Sequence, residues 1–282
     1  MDHSSSLSRR RIGLRIVLHA ALILGAIIFL VPLFYVIVTA LKSRHDLATL
    51  PFFTLPEVWH FDNFPKAWID GNLSTYIGNS AFISVVKVPL GILVEALAAF
   101  ALTRMDLKGA TVIFMVFLVG MMIPMQATLV PLNIFLHSVG LTNTYPGIIF
   151  VYIGFGIPFG ILILRGFFRT MPRELDESAV IDGCTDGQRF TRIILPLAKP
   201  AVAALFILDF LSTWNEFLLA QIFLTKDSMK TITTGLMTFV GQHLTDYTLL
   251  NAGVVLSMIP SVVIYMIFQK QFVSGMAGAV KG

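Results

Sequence analysis

ALILGAIIFLVPLF (residues 21–34) and AVAALFILDFL (residues 201–211) decide the fold class. In both, apolar residue follows apolar residue, without the every-second-residue alternation of a barrel strand. Extended by their neighbours, such runs reach the roughly 20 mostly apolar residues that a helix needs to cross a hydrocarbon core about 30 Å thick. Six stretches qualify: residues 16–41, 76–102, 110–136, 144–164, 201–224 and 249–268. The expected fold class is all-α, a polytopic membrane protein with six transmembrane helices.

Composition agrees. Apolar side chains make up 56% of the 282 residues and charged ones 13%, against about 25% charged in an ordinary globular domain. So few charges cannot cover a soluble surface of this size, which excludes a cytosolic enzyme, a coiled coil and a disordered chain. The single cysteine, Cys184, excludes an intrachain disulfide and a multi-cysteine metal site.

The net charge of +4 is less informative than its distribution. With the N-terminus inside, cytoplasmic segments carry Arg9, Arg10, Arg11, Arg15, Arg104, Lys108, Arg165, Arg169, Arg173, Arg189, Arg192, Lys199, Lys270 and Lys281. The outer segments carry Lys42, Arg44, Lys66, Lys226 and Lys230, and Lys87 lies inside a span. Fourteen against five places both termini in the cytoplasm by the positive-inside rule. The first span follows a basic stretch but is too long for a signal-peptide core and lacks a small-x-small cleavage site, so it reads as an uncleaved anchor. The expected organisation is a cytoplasmic tail (1–15), a six-helix membrane domain (16–268) and a cytoplasmic tail (269–282). An extracytoplasmic loop (42–75), with Trp59 and Trp68, reads as a small structured cap or an interfacial belt.

The cytoplasmic connection 165–200 is the most informative stretch. Pro172 suits a helix start, and Glu174, Asp176 and Glu177 suit its positive end. Gly183 suits a helix stop. Thr185 with Gln188 three residues later forms a capping-box pattern that restarts a helix. Phe190, Ile193 and Ile194 fall on one face of that second helix, which Pro196 and Pro200 should close. The physics leaves two options: a loop packed on its own bundle, or a docking surface for a partner. Spans on both sides speak against a DNA-reading helix-turn-helix.

The run Glu177-Ser178-Ala179-Val180-Ile181-Asp182-Gly183, followed by Phe190, Ile193, Leu195-Pro196 and Pro200, resembles the EAA loop of ABC-importer permeases. Ser178 in place of the usual first alanine is its one departure. Ile123-Pro124-Met125-Gln126 with Val130-Pro131-Leu132, then Gly140 to Tyr145, Leu164 to Phe168, Trp214 to Phe217 and the tail Phe272 to Gly282, are similar to the carbohydrate-uptake, maltose-transporter branch. The tail is one residue shorter than the commonest form. The resemblance runs from Leu33 onward and implies a type I importer permease in a bacterial inner membrane, surrounded by lipid. It further implies a second homologous permease, two ATPase subunits and an extracytoplasmic solute-binding protein. ATP and Mg would belong to the ATPase subunits, with no cofactor, metal or catalytic residue in this chain and no nucleic acid. Glu177, Ser178, Ala179, Asp182, Gly183 and Pro196 would shape a coupling helix seated in the ATPase, and the C-terminal tail would reach the ATPase interface. In this branch most sugar contacts come from the other permease.

Ionisable groups inside spans usually face a protein interior or a water-filled cavity. Lys87 with Glu95, Gln126 with Asn133, and Asp209 with Ser212, Asn215 and Glu216 are therefore candidates either for a pathway suited to hydroxyl groups or for pairs that fix helix packing. Lys87 is the outlier: it meets an anionic sugar derivative, or it pairs with Glu95, Asp209 or Glu216.

The chain has no phosphate-binding loop of the G-x-x-x-x-G-K-[ST] type and no H-E-x-x-H or G-x-S-x-G element, and its histidines lack metal spacing. An importer for a sugar or sugar derivative is the leading expectation. A polyol, a glycerol-phosphate-like solute or an anionic sugar is the alternative cargo. A secondary transporter would need inverted repeats, and none is evident; an intramembrane enzyme would need a convergent catalytic set.

Overall fold

The computed structural model describes residues 3–241 and 245–280, with side chains over 14–241 and 245–271. Arg9, Arg10, Arg11, His3, His243, Lys281 and the tail motif beyond residue 271 therefore lie outside the described side chains. Among the described residues four helices are long and apolar enough to cross a membrane, and two bent helix pairs bring the candidates to as many as six. Among the described residues the sole β feature is an isolated bridge between Val240 and Thr245.

The chain divides into two compact units. The first comprises Met1–Gly71 and Phe239–Leu256. Its long helix α1 (His3–Ala40) begins well before the expected span, because residues 3–15 contain no proline to stop it, so the expected N-terminal tail continues the helix. At its C-terminal end, Ala40 O and, two residues on, Lys42 O accept the two Nδ2 protons of Asn63 at 2.9 and 3.0 Å. Two short helices follow, α2 (Arg44–Thr49) and α3 (Asn63–Asp70). Ser43 and Asp46 close a full capping box on α2. Tyr35 stacks on Phe52 at 3.9 Å, and Arg44 pairs with Asp246 at 2.5 Å.

The second unit comprises Asn72–Thr238 and Ser257–Gly282. It begins with α4 (Leu73–Arg104), the spine of the bundle, which keeps Pro89 within its length. The third expected span, residues 110–136, is two helices, α5 (Ala110–Met121) and α6 (Met125–Ser138), bent by 97°. Pro124 explains the break: it lacks an N–H, and its ring drives Ile123 out of the helical region. Next comes α7 (Tyr145–Thr170), started by Thr144, whose hydroxyl accepts from Gly147 N. It packs along α4. Two short helices follow, α8 (Glu174–Ile181) and α9 (Asp186–Arg189). A π-helical turn, Phe190–Ile194, then leads into α10 (Leu195–Leu197) and α11 (Lys199–Trp214).

The fifth expected span, residues 201–224, is not one helix. It stops at Trp214 and resumes as α12 (Leu218–Phe223). The cause is Glu216, whose carboxylate accepts Leu219 N at 2.7 Å and Ala220 N at 2.9 Å and so starts a new helix at that point. Beyond α13 (Ile232–Gly235), α14 (Tyr247–Val280) extends the sixth span twelve residues past its expected end at 268, so the backbone of the tail is helical as far as Val280.

Packing of α4, α6, α7 and α12 buries Ile83, Leu136, Ile148, Tyr152, Phe223 and Leu224 in one apolar cluster. Polar clamps close the loops above it. Asn143, in the left-handed region at φ 55, accepts Thr225 N at 2.6 Å and Lys226 N at 3.0 Å on one oxygen. Asn79 donates to Ser228 O and Lys230 O. The Lys230 ammonium beside Asp227 holds that carboxyl below the usual carboxylate range.

Candidate functional site

The connection from α7 to α11 folds as a helix, a sharp bend and a second helix. Glu174, Asp176 and Glu177 occupy the first turn of α8, where the helix dipole favours them. Pro172 lies two residues before that helix rather than inside its first turn, since Arg173 is the N-cap. At the other end Cys184 N donates to Ala179 O at 2.9 Å and Gly183 N to Val180 O at 3.0 Å, with Gly183 at φ +74. This is a Schellman stop. Thr185 and Gln188 then satisfy both halves of a capping box. Two residues therefore separate one closed helix end from the next closed start, and the bend is fixed by backbone bonds.

The bend is also anchored. Asp176 accepts Arg104 Nη1 at 2.7 Å and Arg189 Nη1 at 3.5 Å. Arg104, the last residue of α4, donates as well to Phe168 O and to Met171 O beyond α7. One arginine thus ties the ends of two long helices to α8, and one aspartate passes the tie to α9. Phe190 packs on Phe100 at 5.3 Å and is buried with Ile194. The expected exposed stripe of Phe190, Ile193 and Ile194 is therefore turned inward onto the chain's own bundle. Pro196 and Pro200 do not end the helical run either. The chain bends by 78° between Leu197 and Lys199 and continues as α11, with Pro200 in its first turn, where a missing N–H is harmless.

What protrudes is the tip. Ile181 is 85% and Val180 57% exposed. Glu177, Ser178, Asp182, Gly183 and Pro196 are exposed around them, whereas Ala179 is buried and seats α8 on the bundle.

Inside the bundle, Lys87, Glu95 and Asp209 are 2%, 1% and 8% exposed. Lys87 forms an ion pair with Asp209. Glu95 Oε2 and Asp209 Oδ2 accept no hydrogen bond among the described residues. Gly156 and Gly160, a small-x-x-x-small pair on α7, let the backbones approach closely here. A Cβ at Gly156 would lie 3.2 Å from both Glu95 Oε1 and Lys87 Nζ, and one at Gly160 would overlap the Glu95 side chain. Gly160→Leu is accordingly expected to prise α7 from α4 and sharply reduce the yield of monodisperse protein in detergent. Overpacking of this kind costs about 1–3 kcal/mol or more. Gly78→Ala, where a Cβ meets nothing within 4 Å, is the control and should match the wild type.

The other intramembrane candidates lie apart. Gln126 is exposed and Asn133 half-buried on α6, and no hydrogen bond among the described residues joins either to the Lys87 cluster. Ser212 and Asn215 are exposed, with Asn215 Nδ2 donating to Leu211 O. Glu216, besides starting α12, accepts Tyr152 Oη at 2.6 Å. A groove of about 840 Å³ along α5, α6 and α7 has Thr128 as its one polar side chain, so a hydroxyl-rich solute finds few partners there.

The family described as "Binding-protein-dependent transport system inner membrane component" matches residues 87–278, which include both the bend and the buried cluster. The chain belongs to that family. This permease is 36% identical over 90% of its length to the diacetylchitobiose uptake system permease NgcG of Streptomyces coelicolor, covering 84% of that protein. It is 31% identical over all of its length, and all of the relative's, to the arabinooligosaccharides transport system permease AraQ of Bacillus subtilis. Its fold matches the crystal structure of a bacterial ABC transporter involved in the import of the acidic polysaccharide alginate, at a TM-score of 0.79 and 25% identity, covering 94% of this chain and 98% of that one. The resemblance drawn from the 177–183 motif is borne out, and the family is one of transporter subunits rather than hydrolases. Arg104, Asp176 and Arg189 enter the permease's bend through structure alone; in the sequence they read only as topology charges and a helix start.

Proposed function

We propose that this permease forms one half of the translocation pathway of an ATP-driven importer for an oligosaccharide or sugar derivative. A second, homologous permease supplies the other half, and two ATPase subunits, with their ATP and Mg, dock on the 177–183 bend. Both termini lie on the cytoplasmic side of a bacterial inner membrane, and an extracytoplasmic binding protein delivers the solute. The sugar assignment rests on the relatives, whose names specify diacetylchitobiose and arabinooligosaccharides.

The observation that carries the coupling role is the contrast within one short segment. Val180 and Ile181 stand free at the tip, while Arg104, Asp176 and Arg189 lock the base to the ends of α4 and α7. A push at the tip is then transmitted to the spans as rigid-body motion rather than absorbed by a loose loop. The permease solubilised from its native membrane should co-purify with a Walker-motif ATPase and a second permease. Liposomes holding the assembly should take up oligosaccharide only with ATP and binding protein. Uptake by this chain alone, without ATP, overturns the reading in favour of a secondary transporter.

A further inference from the structure

The ends of α4, α5 and α7 enclose a cavity of about 640 Å³ whose wall carries Arg104, Lys108, Arg165, Arg169 and Arg173, with Asp106 as its one acid. Arg104 is committed to Asp176 and to backbone carbonyls. The remaining four cations make no ion pair among the described residues. Arg165 lies 3.8 Å over the ring of Phe114, and its Nε is buried with no acceptor. Four cations without an ion pair and a single acid in one cavity wall leave a net repulsion, which an anion within the cavity relieves.

Charge and depth define that anion. Guanidinium groups pair with phosphate oxygens through two parallel hydrogen bonds, and three of the four cations are arginines. Arg104 and Thr170 end two of the long apolar helices, so the cavity lies at the level where headgroups meet hydrocarbon. Basic pockets between helices at that level suit anionic headgroups. Leu102, Leu107 and Ala110 in the same wall offer an apolar side to a glycerol backbone. We propose that this cavity binds the phosphate of an anionic phospholipid headgroup. The inference depends on α4 and α7 spanning a membrane and is independent of the transported solute.

Native mass spectrometry of the full-length protein, supplied in detergent with phosphatidylglycerol or phosphatidylcholine, tests the assignment. The wild type is expected to retain phosphatidylglycerol in preference to phosphatidylcholine. The triple variant Lys108→Gln/Arg169→Gln/Arg173→Gln changes exposed side chains that hold no other element. It should weaken phosphatidylglycerol binding by a factor on the order of a hundred. If the triple variant fails to fold, Lys108→Gln and Arg169→Gln singly carry the same test with about a fivefold loss each. Equal retention of the two lipids, or unchanged retention by the variants, overturns the site. Displacement of the lipid by millimolar inorganic phosphate or glycerol 3-phosphate overturns the lipid assignment in favour of a soluble phosphate ligand.

Discussion

Lys87→Met is expected to shorten sharply the lifetime of the folded permease in detergent, and Lys87→Met/Asp209→Leu is expected to restore most of it. Lys87 and Asp209 are buried and paired. Removing the lysine leaves an aspartate in the bundle with no counter-charge and Glu95 close by. Breaking a buried pair from one side costs about 3–5 kcal/mol, whereas replacing both members with apolar side chains is often neutral. The half-life of the monodisperse peak at a fixed elevated temperature is the readout. Glu95→Gln should be mild by comparison, because one Glu95 oxygen has no donor to lose and the change removes a second carboxylate from beside Asp209. Transport separates the remaining readings of Lys87. If the lysine serves packing, whatever uptake survives in Lys87→Met falls equally for neutral and acidic oligosaccharides. A selective loss of acidic substrates would instead restore it as an anion ligand, which its pairing with Asp209 argues against.

What the sequence shows and what it hides divide along the range of the interactions. The long apolar runs were legible because a spanning helix needs little beyond length and hydropathy. The bend was legible because each of its parts is local: Gly183 supplies the stop, and Thr185 with Gln188 supplies the restart, all within six residues. The break after Trp214 was harder to see, since Glu216 reads as an intramembrane charge until its carboxylate is found on the amides of Leu219 and Ala220. Pro124 was visible, but a proline inside an apolar run permits either an uninterrupted helix, as at Pro89 in α4, or a 97° turn. The partner of Lys87 was not legible, because Glu95, Asp209 and Glu216 were all at plausible spacing. The choice of Asp209 follows from the register of α4, α7 and α11, which Gly156 and Gly160 set. The direction of the apolar stripe was hidden for the same reason. Phe190 and Ile194 would suit a partner as well as they suit Phe100, and only the fold turns them inward and leaves Val180 and Ile181 out.

Gly183→Trp is expected to abolish both transport and co-purification of the ATPase, while Gly183→Ala retains co-purification and a reduced rate of transport. Both substitutions carry the same backbone penalty, since the residue sits at φ +74. A left-handed conformation costs a non-glycine residue roughly 1–2 kcal/mol, which is at most about a thirtyfold loss if all of it falls on coupling. Alanine meets no obstacle within the permease, because a Cβ at Gly183 has nothing within 4 Å, and a tryptophan there starts from an exposed position. A difference between alanine and tryptophan therefore reads a surface supplied by another protein. The anchor gives an independent check. Asp176→Asn removes the charge that Arg104 and Arg189 share without touching the exposed tip, so the ATPase should still co-purify while transport per ATP hydrolysed falls. If tryptophan and alanine at position 183 behave alike in both co-purification and transport, the bend is not where the ATPase sits.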